Sequence, residues 1–358
     1  MKKIMFVIPS LREGGAERVI TRLSAGIAEL GYDVHILEFF RPGSGYEIDP
    51  NVHLLSIFQN EEAYNSVSFF KKNALMRKAI TTVEPDVIIP FLEYVCQKTQ
   101  LALLGTKYFN KVVVTLRVTP TIGNLAHKIR RFLSILFSRA CIAQTESQKR
   151  FLNGILQKKT YVIANPVDQI DIPFSEPPGQ ITFISAGRLV PQKNYPMMIK
   201  AFAQVAQERD VYLQIYGAGK MEGELKRIIE NLGISSRALL MGYSNNIIDD
   251  YRKANIFLLT SNWEGMPNSL MEAMALGMPC IATDCPTGPA ELIKNEENGL
   301  LIPINNEKSL VCAMLKLVDC TSLRSSYGQA ARSSIMSEYS RSAISERWVN
   351  ILKEIKLL

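Results

Sequence analysis

The chain has only three histidines, His35, His53 and His127, and they stand far apart. Its six cysteines, at 96, 141, 280, 285, 312 and 320, include no C-x-x-C pair. Zinc sites draw on closely spaced Cys and His, so this pattern speaks against one. With no secretory leader, the cysteines read as reduced thiols of a cytosolic protein. Long apolar runs are missing too: none approaches the ~18 residues of a membrane span. The opening run from Ile4 to Ile8 stops at Pro9, with Arg12 and Glu13 close behind. That is too short for the apolar part of a signal peptide. No G-x-x-x-x-G-K-[ST] occurs, which excludes a P-loop NTPase. Gly217-Ala218-Gly219 begins like a dinucleotide fingerprint, but Glu222 stands where a third small residue belongs. A nicotinamide cofactor is therefore discounted.

What is present is ordinary globular composition, 47% hydrophobic and 21% charged, which rules out disorder and collagen-like fibres. At roughly 150 residues per domain, 358 residues suggest two domains. Lys and Arg number 41 against 34 Asp and Glu, a net +7 that favours an anionic partner without naming it. The basic residues are dispersed and no recognition motif appears, so nucleic acid is not the expected partner.

Short β-branched runs alternate with amphipathic segments. Runs at 4–8, 34–39, 86–91, 112–116 and 141–143 are expected strands, with helices between them. Pro166, Pro173, Pro177, Pro178 and Gly179 then interrupt the rhythm, and 166–180 reads as a linker. Strands are expected again at 181–186, 211–216, 238–241, 256–259 and 279–283. Helices are expected at about 194–208, 220–232, 268–276, 307–318 and 341–356. The fold class is α/β: two doubly wound Rossmann-like domains facing a cleft, 1–165 and 181–340. Ligands of such sheets bind beyond the carboxyl ends of the strands.

The loops at those ends carry the candidates. Gly14-Gly15 opens a helix after the first strand, where backbone amides can approach an anion. Its plainer reading is a tight turn, with Glu17 complementing the helix dipole. Gly187-Arg188 is followed by Lys193, and two cations there suit one doubly charged group. From Glu264 through Gly265, Met266, Pro267, Asn268 to Glu272, two carboxylates bracket a loop of free amides at a helix N-terminus, which suits a phosphate. Glu264 would accept hydrogen bonds from sugar hydroxyls and Glu272 from a ribose. Ser269-x-x-Glu272 also reads as a capping box, with Glu272 satisfying only the helix start.

This segment resembles the E-x7-E signature of glycosyltransferase family 4, the group 1 glycosyltransferases of GT-B architecture. The ordered set extends the likeness over nearly the whole chain: Gly14-Gly15-Ala16-Glu17, Asn165-Pro166-Val167-Asp168, Gly187-Arg188 with Lys193, Gly217-x-Gly219, Gly277-Met278-Pro279, Gly288-Pro289-x-Glu291 and Asn298-Gly299-Leu300. The resemblance implies a retaining transferase with a nucleotide diphosphate sugar, UDP favoured, as co-substrate and no metal or other cofactor. By carry-over Arg188 and Lys193 hold the diphosphate, Glu264 addresses the donor sugar and Glu272 the ribose. The base rests near Gly242-Tyr243-Ser244, and the Gly15 loop closes over the diphosphate. A helix at about 341–358 packs back on the first domain. The chain has no D-x-D, the metal-holding motif of the other common transferase architecture, so fixed cations and a helix N-terminus would replace the ion. Many members place a His after the strand at 112–116; here Arg117 is the substitute candidate, and Glu93 is a second one. The bland reading of both is a surface charge near a strand end.

Leu125, Ile129, Phe132, Leu133, Leu136 and Phe137 recur at helical spacing, interleaved with Lys128, Arg130, Arg131 and Arg139. The favoured reading is a core-facing stripe with a solvated basic back. The alternative is docking of a cytoplasmic protein on the anionic inner face of the membrane. Relatives of this size extend polyprenyl-diphosphate-linked saccharides, so the acceptor is expected to be lipid-linked, or else a soluble saccharide. Competing functions are a non-catalytic sugar-nucleotide-binding partner of another transferase and a GT-B-type sugar-nucleotide epimerase. Glu264 argues against the first and the 264–272 signature against the second.

Overall fold

The computed structural model describes residues 1–12, 14–42, 45–117 and 124–358. The chain divides into two compact units, Met1–Asp168 with Tyr339–Leu358, and Gln169–Glu338.

The first unit carries β1 (Lys3–Ile8), β2 (Asp33–Phe40), β3 (Val52–Phe58), β4 (Val87–Pro90), β5 (Val113–Leu116), β6 (Ala140–Ala143) and β7 (Thr160–Val162). The strands pair in parallel in the orders β3-β2-β1-β4 and β5-β6-β7, and a bridge between Ile88 and Val112 links the two sets. Ile4 through Ile8 are fully buried, as expected of a parallel strand covered on both faces. Helix Gly15–Glu29 packs against the last helix, Arg341–Glu354. Gly26 lets the two approach: a Cβ there would come to 2.2 Å from the Ser345 hydroxyl. Arg341 pairs with Glu29 at 2.8 Å, and Arg139 donates to the Ile355 carbonyl at 2.6 Å.

The second unit carries β8 (Ile181–Ala186), β9 (Val211–Tyr216), β10 (Ala238–Gly242), β11 (Ile256–Leu259), β12 (Cys280–Asp284) and β13 (Leu300–Pro303). Its sheet runs β10-β9-β8-β11-β12-β13, all parallel. Strand order reverses between β8 and β11, and that switch point leaves a crevice at the strands' carboxyl ends. In the first unit the reversal falls between β1 and β4.

Several elements escape the sequence pattern. β3 is an edge strand, and His53 and Ser56 interrupt its apolar pattern. β7 and β13 are three and four residues long. Helix Thr321–Glu338 buries only Arg324, Tyr327, Gly328, Ala331 and Ile335, a face too small and mixed to read as amphipathic. Gly328 seats this helix against the end of helix Asn268–Leu276, since a Cβ there would lie 2.1 Å from the Gly277 carbonyl oxygen. Among the described residues no helix is long and apolar enough to cross a membrane.

Candidate active site

In the second unit the loops leaving β8 and β11 are tied together. Asn262 N–H donates to the Gln192 carbonyl at 2.8 Å, and the Thr260 hydroxyl donates to the Lys193 carbonyl at 2.9 Å. The Thr283 hydroxyl, from β12, donates to the Ser261 carbonyl at 2.6 Å. This frame places Glu264, only 6% exposed, beside Lys193. The ammonium lies 2.6 Å from Glu264 Oε1, and the Ser261 hydroxyl donates to the same oxygen at 2.6 Å. Gln192 Nε2 lies 3.4 Å from Oε2, and the Thr287 hydroxyl donates to the Glu264 carbonyl. Donors on both of its oxygens hold this buried carboxylate in a fixed orientation. Arg188, two residues past the buried Ala186 that ends β8, is exposed and carries no side-chain hydrogen bond or ion pair among the described residues.

Glycines make the frame possible. Gly288 has φ +98°, and a Cβ there would lie 2.9 Å from both the Gly265 carbonyl oxygen and Pro267 Cδ. Gly217, at φ +135°, faces the Gly187 carbonyl oxygen, which a Cβ would meet at 2.0 Å. Gly219 meets the Leu189 carbonyl oxygen in the same way, at 2.4 Å. The G-x-G pair thus serves close approach of two loops, which explains why no third small residue is needed. Gly187 itself stands 3.0 Å from Lys193 Cε by the same measure.

Helix Asn268–Leu276 starts at the end of the Gly265–Pro267 loop with Pro267 as its N-cap, and no side chain caps it. The capping-box reading of Ser269 and Glu272 is therefore overturned: Ser269 is already inside the helix, and Glu272 lies buried in the second turn. Met266 is buried, Gly265 and Asn268 half-buried. At the end of β10, Gly242 has φ +75°, Tyr243 is 51% exposed, and the Ser244 hydroxyl donates to Asp250 at 2.5 Å.

In the first unit Arg117 follows β5. Its guanidinium lies 4.0 Å from the Phe91 ring centroid, and Nη1 donates to Asn165 Oδ1 at 2.8 Å. No carboxylate pairs with it among the described residues, and Nε is buried without a partner. Burial pulls its pKa down to about 9. The bland surface reading does not hold for this residue. Glu93 opens helix Glu93–Leu103 after Leu92, whose φ of +74° is unusual for leucine. Arg131 Nη2 holds its Oε2 at 3.0 Å, while Oε1 is buried without a partner. Gly14 caps helix Gly15–Glu29 with extended backbone, and Glu17 folds back over it.

Sequence comparison decides what this frame belongs to. Residues 13–169 match the model of "Glycosyltransferase Family 4", and 168–334 that of "Glycosyl transferases group 1". The chain belongs to the group 1 glycosyltransferases. Two relatives from Campylobacter jejuni are each 28% identical. One, N-acetylgalactosamine-N,N'-diacetylbacillosaminyl-diphospho-undecaprenol 4-alpha-N-acetylgalactosaminyltransferase, covers 93% of this chain and 94% of its own. The other, GalNAc-alpha-(1->4)-GalNAc-alpha-(1->3)-diNAcBac-PP-undecaprenol alpha-1,4-N-acetyl-D-galactosaminyltransferase, covers 99% of each. The crystal structure of S. aureus TarM with UDP has a TM-score of 0.84 at 16% identity, over 98% of this chain and 99% of TarM. The fold is GT-B, with two Rossmann-like domains.

This glycosyltransferase differs from the sequence expectation in one large respect. Helix Leu125–Leu136 turns its apolar residues outward, overturning the core-facing reading. Leu125 is 73% exposed, Ile129 49%, Phe132 46% and Phe137 55%, while Arg131, Ser134, Ile135 and Ser138 are buried. Glu38 is a charge that pattern reading passed over, and Arg131, read there as part of a solvated basic back, is instead buried. Glu38, fully buried at the end of β2, accepts from Leu11 N–H at 3.2 Å and from the Ser56 hydroxyl at 2.5 Å. It thereby fixes the backbone at Leu11, just past β1. The hint of the inward side of helix Leu125–Leu136 was that Arg131, Ser134 and Ser138 fall at helical spacing.

Proposed function

We propose that the chain is a retaining glycosyltransferase that moves a hexose or N-acetylhexosamine from a UDP-sugar to a polyprenyl-diphosphate-linked saccharide, in bacterial polysaccharide or glycan biosynthesis. The observation that carries the donor side is the buried Lys193–Glu264 pair at the sheet's switch point, beside Arg188, which is unpaired among the described residues. Arg188 and the face of Lys193 turned from Glu264 take the diphosphate, beside the closely packed Gly187 and Gly217 loops. Glu264 accepts from donor-sugar hydroxyls, amides from Gly265 to Asn268 bind phosphate or sugar, and Glu272 takes the ribose. Gly242, Tyr243 and Ser244 seat the base. Gly14 and Gly15 offer amides to an anion, and Arg117 and Glu93 address the sugars.

The reaction breaks the bond from the anomeric carbon to the diphosphate. The acceptor oxygen bonds to the same face, and its proton passes to the departing phosphate oxygen. Fixed cations and amide dipoles offset the charge that develops there, without a metal ion. Both Campylobacter relatives are named for α-linkages to diphospho-undecaprenol saccharides, the configuration retention gives from an α-linked sugar nucleotide. The outward apolar face of helix Leu125–Leu136, with Lys128 and Arg130 exposed on it, supports docking on an anionic membrane surface, each cation contributing about 1 kcal/mol.

The test is transfer from a panel of UDP-sugars to a synthetic lipid-linked acceptor, with and without EDTA, followed by NMR of the new anomeric proton. Turnover in EDTA with retained configuration is expected. Inversion, or loss of turnover in EDTA, would refute the mechanism.

A further inference from the structure

Away from Glu93 and Arg117, the first unit holds a cavity of ≈ 120 Å³ at the carboxyl ends of β2 and β3. Its floor is Phe39, Phe58 and Met76, and Phe69 forms its lip. Two ammonium groups meet there on one tyrosine. Lys72 Nζ lies 4.2 Å from the Tyr64 ring centroid, and Lys98 Nζ donates to the Tyr64 hydroxyl at 2.7 Å. Among the described residues no carboxylate lies within ion-pair distance of either lysine. Both are half-buried. Two like charges beside an apolar cavity are unfavourable unless an anion completes them. The cavity is close in size to the ~150 Å³ apolar cavity that takes a benzene ring, so one five-carbon unit fits it. The apolar lining continues outward through Phe69 and Phe70, 53% and 83% exposed. Lys98 also shares helix Glu93–Leu103 with Glu93, a turn and a half away.

We infer that this pocket binds the head of an isoprenoid diphosphate, its first isoprene unit against Phe39, Phe58 and Met76 and its diphosphate on Lys72 and Lys98. This rests on the lipid-linked acceptor proposed above and gives that lipid a seat. A purely apolar ligand would leave the lysines unmatched, and a bare anion would leave the aromatic floor unused.

The test is calorimetric titration of the full chain with farnesyl diphosphate below its micelle concentration, in saturating UDP so that the donor site is filled. Binding should persist with UDP present. It should weaken at least tenfold in the Lys72→Met, Lys98→Met double variant and severalfold in Phe69→Ser. Farnesol and inorganic pyrophosphate should each bind at least tenfold more weakly than farnesyl diphosphate. An unaltered UDP affinity and melting temperature show that the variants fold. Displacement by UDP, equal binding in the double variant, or equal binding of pyrophosphate would overturn the assignment. If farnesyl diphosphate binds as stated but no UDP-sugar is transferred, the donor reading fails and the pocket stands. If transfer to the lipid-linked acceptor proceeds with the same KM in the double variant, the pocket fails and the donor reading stands.

Discussion

The two units treat charge in opposite ways. In the second, Lys193 and Glu264 neutralise each other inside a frame of hydroxyl and backbone hydrogen bonds, and glycines at 217, 219 and 288 lock the loops by close approach. In the first, Arg117, Lys72 and Lys98 lack acidic partners among the described residues, Glu93 has one carboxylate oxygen unmatched, and a whole helix turns apolar side chains outward. The reacting pair of the second unit is matched within the protein, with Arg188 beside it unpaired among the described residues. The first unit leaves several charges and an apolar face without such matches among the described residues. Rigid, paired groups suit the reacting centre, where orientation lowers the barrier. Unpaired cations and exposed apolar surface suit a large amphiphilic partner.

The sharpest way to break this comparison is at Glu264. Glu264→Gln should lower kcat/KM by orders of magnitude. Removing one partner of a buried pair should also cost about 3–5 kcal/mol of stability. The double variant Glu264→Gln, Lys193→Met should regain much of that stability while staying inactive. A melting series with parallel rates checks both, and full activity in either variant would end the assignment. The next effect is smaller and purely geometric. Gly288→Ala puts a Cβ within 2.9 Å of the Gly265 carbonyl oxygen at a φ of +98°, so a loss of about 1–3 kcal/mol is expected, with weakened UDP binding.

On the first unit, Ile129→Ser with Phe132→Ser should abolish flotation on anionic vesicles while leaving the melting temperature within a few degrees, since both side chains already face solvent. Equal flotation on neutral vesicles would reject the electrostatic part. The smallest effect concerns Glu38, whose pKa burial raises despite hydrogen bonds from Ser56 and Leu11. The folded state then holds a proton that the unfolded state releases, so this group's contribution falls as pH rises from about 4.5 through the raised value. Glu38→Gln should flatten that part of the stability profile, and an unchanged slope would contradict the assignment.

Much of this was readable from residues alone, for physical reasons. Strands buried on both faces, such as Lys3–Ile8 and Val211–Tyr216, are dense in apolar or β-branched residues and announce themselves. Edge strand Val52–Phe58 does not, because most of its residues are only half-buried and polar residues break its pattern. The loop motifs around 187–193 and 264–272 were plain by composition. That Lys193 and Glu264 form one ion pair was not, because the pair joins positions 71 residues apart. Helix Leu125–Leu136 teaches the most. Periodicity reveals that an apolar stripe exists but not which side meets the sheet. Buried Arg131 pairs with the half-buried Glu93, 38 residues earlier, and that inward side leaves the apolar stripe facing outward.

The account's centre is a diphosphate held by fixed cations of the second unit. Titration of UDP into the native chain and into Arg188→Ala, both in EDTA, tests it directly. Binding to the native chain that survives EDTA and weakens at least tenfold in the variant is the predicted result. Loss of native binding in EDTA, or equal affinity in the two proteins, would contradict it.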